Sequence, residues 1–325
     1  MNRLYRRALI GIAVAAGLTV AVPCAAQDSY PNRNIRVIVP FGAGTGLDTL
    51  TRVLTTKLAE ELKTSIVVMN QTGSNGIIGT TTVARAPADG YTLLATTQSH
   101  YISGMMYNNM PYDPRKFVPV ARFGQAQLVV VTSTTSVATN IQSFLSEARK
   151  APEKFSFASL GTGSSAHMAG TLFNSLAGTQ LLHVPYKEAS QALTDTIRGE
   201  PTINFVALPT AAAQMKAGKL QALAVTGLKR SQSLPDTPTL NESGLPGYEL
   251  VAWYAFFAPE GTPPDVVQKL SVSVSRITAS AEFLATLARL GLDPMADNAR
   301  DFAAKLPAEN ARWQKIVTLA NAKGD

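Results

Sequence analysis

Short apolar runs that alternate with helix-period stretches constrain this chain more than any other feature of its sequence. Residues 35–40 (IRVIVP), 65–69 (SIVVM) and 91–95 (YTLLA) are apolar nearly throughout, not apolar at every second position. A strand apolar on both faces is buried on both, as in a parallel sheet covered by helices. Between the first two runs, Leu47, Leu50, Leu54, Leu58 and Leu62 recur at three- and four-residue spacing, the mark of a helix with one buried face. The order βαβαβ follows, with a second helix over 77–86. After an irregular stretch at 105–119, which holds Pro111, Pro114 and Pro119, the rhythm restarts. Strands at 128–132, 155–158, 181–184, 202–206 and 220–225 alternate with helices at about 140–150, 164–177, 188–198 and 208–217. A Pro- and Gly-rich connection at 231–248 leads to a strand at 251–258 (VAWYAFFA). Pro263-Pro264 opens a helix carrying Val266, Leu270, Val274 and Ile277, and helices near 280–290 and 299–321 finish the chain, the last interrupted at Pro307. The pattern predicts an α/β fold of two lobes, each a mainly parallel sheet flanked by helices, with a cleft between them. Lobe one is expected over 27–125 plus 250–325 and lobe two over 126–249. A chain of 325 residues is of a size that commonly divides its core in this way.

The N-terminus reads as an export signal over residues 1–26. Arg3, Arg6 and Arg7 precede the uncharged stretch 8–22, and Cys24, Ala25 and Ala26 supply a small-residue cleavage site. The stretch is shorter than the roughly 20 residues a membrane span needs. Cleavage near Ala26 leaves an exported chain without its single cysteine, and so without a disulfide, a thiolate nucleophile or a cysteine metal site. The three leader arginines belong to the 29 Lys+Arg that face 22 Asp+Glu, so the remainder is only mildly basic. With no dense Lys/Arg run after residue 8, nucleic acid is not an expected partner.

Several strand-to-helix loops are built from small residues: 41–46 (FGAGTG), 71–76 (QTGSNG), 96–99 (TTQS) and 159–165 (SLGTGSS). In a parallel sheet such loops lie at the carboxyl ends of the strands, where α/β sheets bind ligands. Each opens a helix whose first N–H groups lack internal partners, which suits an anion. Other chemistries find no footing. Gly42, Gly44 and Gly46 spell GxGxG, with Leu47 where a dinucleotide loop needs its last Gly, and Asn70 ends the second strand in place of a ribose-binding acid. A Walker loop is absent, and Gly163-Ser-Ser-Ala-His167 is not a nucleophile elbow. His100, His167 and His183 have no partners at metal-ligand spacing, so no metal, cofactor or catalytic residue is expected. His167 reads either as a ligand contact and loop support or as a structural hydrogen bond. Tyr186 walls the pocket or simply packs. Asp48 is a favourable charge at a helix N-terminus, or else orients bound water or a ligand amine.

In order along the chain, these residues resemble the substrate-binding proteins of tripartite tricarboxylate transporters, also called the Bug family. The matching stretches include Tyr30-Pro31 with Ile35–Phe41 and Asp48, Ala88-Asp-Gly-Tyr91, Pro111-Tyr-Asp-Pro114, Gly163–His167, His183-Val-Pro-Tyr-Lys187, Ala217–Thr226, Leu234–Thr239, Gly244–Tyr248 and Ala258–Pro263. The resemblance implies a type II periplasmic binding protein fold that captures a small carboxylate and hands it to a membrane permease, as a monomer and without catalysis. It implies ligand contacts from Phe41, Gly42, Ala43, Gly44, Thr45 and Gly46 with Asp48, and from Gly161, Thr162, Gly163, Ser164 and Ser165 with His167. Thr96, Thr97, Gln98 and Ser99 would supply specificity, and Tyr186 and Val206 complete the expected set. The chain departs from the family pattern at Leu47, at Glu188 where Gly is common, and at Asn204–Val206, where an acid often stands. Two alternatives stay open: a receptor that presents its ligand to a sensor kinase, and a secreted α/β hydrolase.

Overall fold

The computed structural model describes residues 30–321; the expected signal segment, Cys24 and the cleavage site lie outside them. The elements are β1 (Ile35–Val39), α1 (Gly46–Leu62), β2 (Ile66–Asn70), α2 (Ile77–Ala84), β3 (Thr92–Thr96), α3 (Ser99–Met106), β4 (Val118–Ser133), α4 (Ile141–Lys150), β5 (Ser156–Ser159), α5 (Ser165–Ala177), β6 (Leu182–Pro185), α6 (Ala189–Arg198), β7 (Ile203–Ala207), α7 (Leu208–Lys216), β8 (Leu220–Val225), β9 (Val251–Ala258), α8 (Pro264–Thr278), α9 (Ala281–Arg289), β10 (Asp297–Asn298) and α10 (Ala299–Leu319). Residues from Arg33 onward pack as one compact unit; the short unit before it is described only at Tyr30–Asn32.

Two trios of parallel strands carry the loops of interest. In the first, β1 lies between β2 and β3, with Val37 opposite Val68 and Leu93. In the second, β5 lies between β6 and β7, with Phe157 opposite His183 and Ile203. The trios are joined by antiparallel strands, in the order β2-β1-β3-β9-β4-β7-β5-β6. β4 makes the join. Over Val118–Gln127 it pairs with β9, and from Leu128 onward it pairs with β7 and β8. At about 3.3 Å per residue, its 16 residues extend roughly 50 Å.

Beyond Leu128 the side chains of β4 alternate between two cores. Leu128 and Val130 join Phe144, Phe157, Phe173 and Phe205, while Val129 and Val131 join Leu193, Leu208 and Leu220. A third cluster covers the first sheet, with Ile38, Leu94, Trp253, Phe257 and Phe302. α10 touches two of these cores. Phe302 and Leu306 pack on the first sheet, and Trp313, Ile316 and Val317 pack on the second. Its start is held by a buried ion network: Arg122 of β4 donates through Nε to Asp297 of β10 at 2.6 Å and also reaches Glu309, while Lys305 closes on Asp297. Burial pushes the Asp297 carboxyl up, but Lys305 and Arg122 outweigh it and hold its pKa below the usual value.

The expected elements differ from these at three places. Residues 105–119 are not irregular throughout, because α3 runs to Met106 and β4 begins at Val118. Pro119, Arg122 and Gln125 hid that half of β4: it is a mixed-polarity strand whose register shifts twice, at Pro119/Ala121 and Arg122/Gly124. α10 is not interrupted at Pro307 but continues through it, held by packing at both ends.

Candidate functional site

The heads of α1 and α5 are built on one plan. Thr45 caps α1, its Oγ1 accepting from the Asp48 N–H at 3.3 Å, and the Asp48 side chain folds back so that Oδ2 accepts from the Gly44 N–H at 2.9 Å. Ser164 caps α5, its Oγ accepting from the His167 N–H at 3.2 Å, and the His167 side chain folds back so that Nδ1 accepts from the Gly163 N–H at 3.2 Å. In each head the third helical residue ties the residue before the cap. The N–H groups of Gly46 and Leu47, and of Ser165 and Ala166, fall in the first turn, where no intrahelical acceptor exists. Each head thus presents backbone donors at the positive end of a helix dipole.

Asp48 is buried and saturated. Oδ1 also accepts from Asn70 Nδ2 at 2.9 Å, and Arg52 Nε donates to both oxygens at 3.1 and 3.2 Å. Asn70 Nδ2 in turn donates to the Phe41 carbonyl at 3.0 Å, and its Oδ1 accepts from Arg52 at 2.8 Å. Burial pushes the Asp48 carboxyl up, but these donors outweigh it and hold its pKa below the ordinary value. The loop Phe41–Gly46 is therefore fixed from below, while Gly42, Ala43, Gly44 and Thr45 stay exposed.

His167 and His183 stand behind the second head. Their ring centres are 4.2 Å apart, with Phe157 stacked on both. His183 Nε2 meets Ser159 Oγ at 2.6 Å, and Ser159 Oγ accepts from the Gly161 N–H at 3.1 Å. The two rings thus support the loop Gly161–Ser165 through Gly163 and Ser159. Since His167 Nδ1 accepts from Gly163, the ring is neutral, with its proton on Nε2. Burial, and then the neighbouring His183, lower the His167 pKa to about 4; burial also lowers that of His183.

The remaining loops reach the second head. Gln98, at the head of α3, donates through Nε2 to Ser165 Oγ at 2.8 Å. Thr97 Oγ1 and Ser99 Oγ bond each other at 2.8 Å, and Thr96 is buried at the end of β3. In the loop 71–76, Ser74 and Asn75 adopt left-handed backbone, and Asn75 Nδ2 donates to Ser103 Oγ at 3.3 Å. Gly163 has φ +82°, and a Cβ there would lie 2.6 Å from Met106 Sδ and 3.7 Å from Asn75 Nδ2. Loops from the first sheet therefore abut the α5 head closely.

Two expected residues stand apart from the heads. Tyr186 donates its N–H to the Ser159 carbonyl at 2.8 Å, and its hydroxyl faces Asp195 of α6; burial and that carboxylate raise its pKa. Val206 lies at the carboxyl end of β7, opposite Val129, and packs against the Leu193 and Leu208 cluster. Glu188 is exposed before α6. Sequence reasoning missed Asn70 and Arg52 as braces, and it missed Tyr254, whose Oη would lie 2.6 Å from a Cβ at Gly46. Asn70 carried a usable signal, a polar residue ending an apolar strand beside a Gly-rich loop. One open groove of about 480 Å³ is lined by α7, Leu234 and Arg289, and another of about 500 Å³ opens on the far side of the Phe157, His167 and His183 rings, beside Leu319. Among the described residues no group of three or more His, Cys, Asp or Glu could hold a metal ion.

Comparison with known proteins gives this geometry its context. The profile of the tripartite tricarboxylate transporter family receptors matches residues 50–321. A protein encoded in the tcbD-tcbE intergenic region of Pseudomonas sp. (strain P51) is 36% identical over 96% of this chain and 93% of its own length. Rpa4515 of R. palustris, solved with adipate, superposes with a TM-score of 0.82 at 31% identity, covering 90% of this chain and 99% of that one. The periplasmic binding protein BugD superposes at 0.78 with 32% identity, over 91% and 100% of the two chains. MatC from Rhodopseudomonas palustris, with bound malate, superposes at 0.77 with 28% identity, over 89% and 100%. The fold is that of the periplasmic binding proteins, and a member of a receptor family is not an enzyme. The chain belongs to the tripartite tricarboxylate transporter family of solute-binding receptors.

Proposed function

We propose that this protein is a periplasmic receptor that takes up a small carboxylate between the heads of α1 and α5 and delivers it to the membrane permease of a tripartite tricarboxylate transporter. The observation that carries this reading is the matched construction of the two heads. Each presents first-turn N–H groups, and each is stiffened by a side chain that turns inward, Asp48 in one and His167 in the other. Neutral backbone donors read a carboxylate through charge-assisted hydrogen bonds without moving a proton. The adipate and malate bound to the two similar receptors support the ligand class. In this reading Phe41–Gly46 and Gly161–Ser165 grip the carboxylate, and Thr96–Ser99 contact the rest of the molecule. Tyr186 and Val206 border the site at the carboxyl edge of the second sheet. The lobes, 27–125 with 250–325 and 126–249, close about the crossing strands β4 and β9.

The test is a thermal-shift and calorimetric screen of the purified protein against aliphatic dicarboxylates, hydroxy acids, amino acids and aromatic acids, each beside its amide. A ligand present at 100 times its Kd stabilises the native state by about 2.7 kcal/mol. An acid that raises the melting temperature while its amide does not is the expected result. Equal shifts with acid and amide, or none with any acid, would overturn the carboxylate reading. Delivery is tested separately: deletion of the partner permease should abolish uptake of the identified acid.

A further inference from the structure

The groove along α7 is built from both halves of the sheet. One wall is α7 with Leu234, which packs on the second half of β4 and on β8. The other is the end of α9 at Ala288–Gly291, next to Leu287, which lies under Gly124 in the first half of β4. The walls are tied at the seam. A Cβ at Gly291 would lie 3.5 Å from Leu208, and Asp293, just beyond it, accepts from Gln127 Nε2 at 2.9 Å and from the Gln232 backbone. Leu208, Met215 and Leu234 give the groove, about 480 Å³ in volume, an apolar floor. Among the described residues its charged lining is Lys216 and Arg289, exposed in the last turns of α7 and α9. Neither has a carboxylate of the described residues within ion-pair distance, and Arg289 donates to Thr286 Oγ1 at 3.4 Å. Two exposed cations over an apolar floor, with no acid between them, complement a segment that carries acids among apolar side chains.

We propose that this groove is the docking surface for an acidic, apolar segment of the membrane permease. The inference rests on the delivery reading and gives it a place on the molecule. A permease that takes ligand only from a loaded receptor must touch both lobes, and in that reading the groove has one wall on each. Arg289 takes a carboxylate through two N–H groups, Lys216 offers a point charge, and Met215 adapts to the apolar side chain between them. The form of the groove disfavours other occupants. A small ligand buries most of its surface in its pocket, whereas Ala212 and Ala288 leave this trough exposed. A second copy related by a two-fold axis would press a patch that holds only cations against itself. A flat lipid surface does not enter a concave trough.

Titration of the receptor over nanodiscs that hold the partner permease, with saturating malate or adipate and without either, tests the assignment. Lys216→Glu combined with Arg289→Glu should weaken permease binding about tenfold or more. The same variant should melt with the wild type and bind acid in free solution as the wild type does. Lys154→Glu, a charge reversal at an exposed position outside the groove, should leave permease binding unchanged. Added salt should narrow the gap between wild type and double variant. If the double variant is unfolded, Lys216→Gln with Arg289→Gln takes its place, with a loss of about threefold or more expected. Permease binding that is the same in the folded variant and the wild type would overturn the assignment and leave delivery intact. An equal loss in Lys154→Glu would refute it in favour of general charge attraction. Wild-type binding to anionic vesicles that lack the permease, or a wild-type dimer in sedimentation, either one lost in the double variant, would give the groove to lipid or to a second copy and refute it too. A wild-type receptor that fails to bind the permease under all of these conditions would overturn the delivery reading and this inference with it.

Discussion

Replacing Asp48 by Asn tests whether the loop Phe41–Gly46 is held from below. The two side chains have nearly the same shape, but Asp48 uses both oxygens as acceptors, Oδ2 from the Gly44 N–H and Oδ1 from Asn70 Nδ2, with Arg52 Nε across both. An Asn keeps one acceptor and turns the other into a donor. Whichever way its amide is oriented, a buried N–H then faces a donor, at a cost of about 1–3 kcal/mol. The loss of charge at the first turn of α1 adds roughly 0.3–1 kcal/mol. Arg52 adds little, because its side chain is 49% exposed. The total is about 2–3 kcal/mol. At roughly 2–4 °C per kcal/mol, the melting temperature should fall on the order of 5–10 °C. Urea and thermal melts measure this, and titration with the identified acid should show weaker binding, because the Gly44 N–H no longer fixes the loop. The pH dependence is a second check. The Asp48 pKa is held below its unfolded value, so its stabilisation is complete above about pH 4 and is lost as pH falls through the folded pKa. The gap between wild type and variant should be constant from pH 5 to 8 and shrink in stronger acid. A variant that melts within 1 °C of wild type at pH 7 would refute the bracing argument.

Three further outcomes are expected. His100 and His167 are both lowered to about 4 by burial, His167 also by His183, whereas in the unfolded chain they titrate near 6.5. The unfolded state therefore takes up their protons first, so stability is complete above pH 6.5 and falls as pH drops toward 4, by about 1.4 kcal/mol per pH unit for each ring. Urea melts from pH 7.5 to 5 should show this slope, with His167→Gln reducing it, and a flat profile would contradict the assignment. Gly46→Ala places its Cβ 2.6 Å from Tyr254 Oη without requiring left-handed backbone, so it should destabilise by roughly 1–3 kcal/mol, and Tyr254→Phe added to it should restore much of the loss in a double-mutant cycle. Gly163→Ala meets both a φ of +82° and Met106 Sδ at 2.6 Å, so Met106→Ala should rescue it only in part; complete rescue would show that φ contributes nothing.

The first parallel trio was legible in the sequence because its strands are short apolar runs and α1 keeps a clear period; the second, with β5 as Ser156–Ser159 and β6 as Leu182–Pro185, was legible mainly from the alternation of short strands with helix patterns. The loops 41–46 and 161–165 were legible because small residues followed by a helix pattern have few other readings. The first half of β4 was not, since a strand that changes partners midway alternates in no simple way, and Pro119, Arg122 and Gln125 resemble loop residues until β9 and Asp297 are in place. The inward braces were harder still. Asp48 and His167 occupy the third position of their helices; from sequence Asp48 reads as a helix-end charge or as orienting water or a ligand amine, and His167 as a ligand contact and loop support or as a structural hydrogen bond. Only the distances to Gly44 and Gly163 show that both side chains turn back on their own loops. The contact between Gln98 and Ser165 joins positions 67 residues apart, and no local pattern encodes it.

The way this site disposes of its titratable groups fits a receptor. Asp48 has every oxygen engaged and its negative charge paired with Arg52, and its lowered pKa keeps it from trading a proton near neutral pH. His167 is neutral, its Nδ1 held by Gly163. His100 lies in a cage of Tyr101, Tyr112, Phe117 and Phe257, with Nε2 on the Pro114 carbonyl, and is also neutral. General acid–base catalysis needs a group poised near the working pH within reach of substrate, and each of these is shifted away from that range or spent on the loop behind it. At the two heads there remain peptide N–H groups and hydroxyls, whose charge state does not change between pH 5 and 8. Such donors can hold an anion and release it unaltered. Under the proposed carboxylate reading, selectivity among acids must then come from the few side chains that face the rest of the molecule.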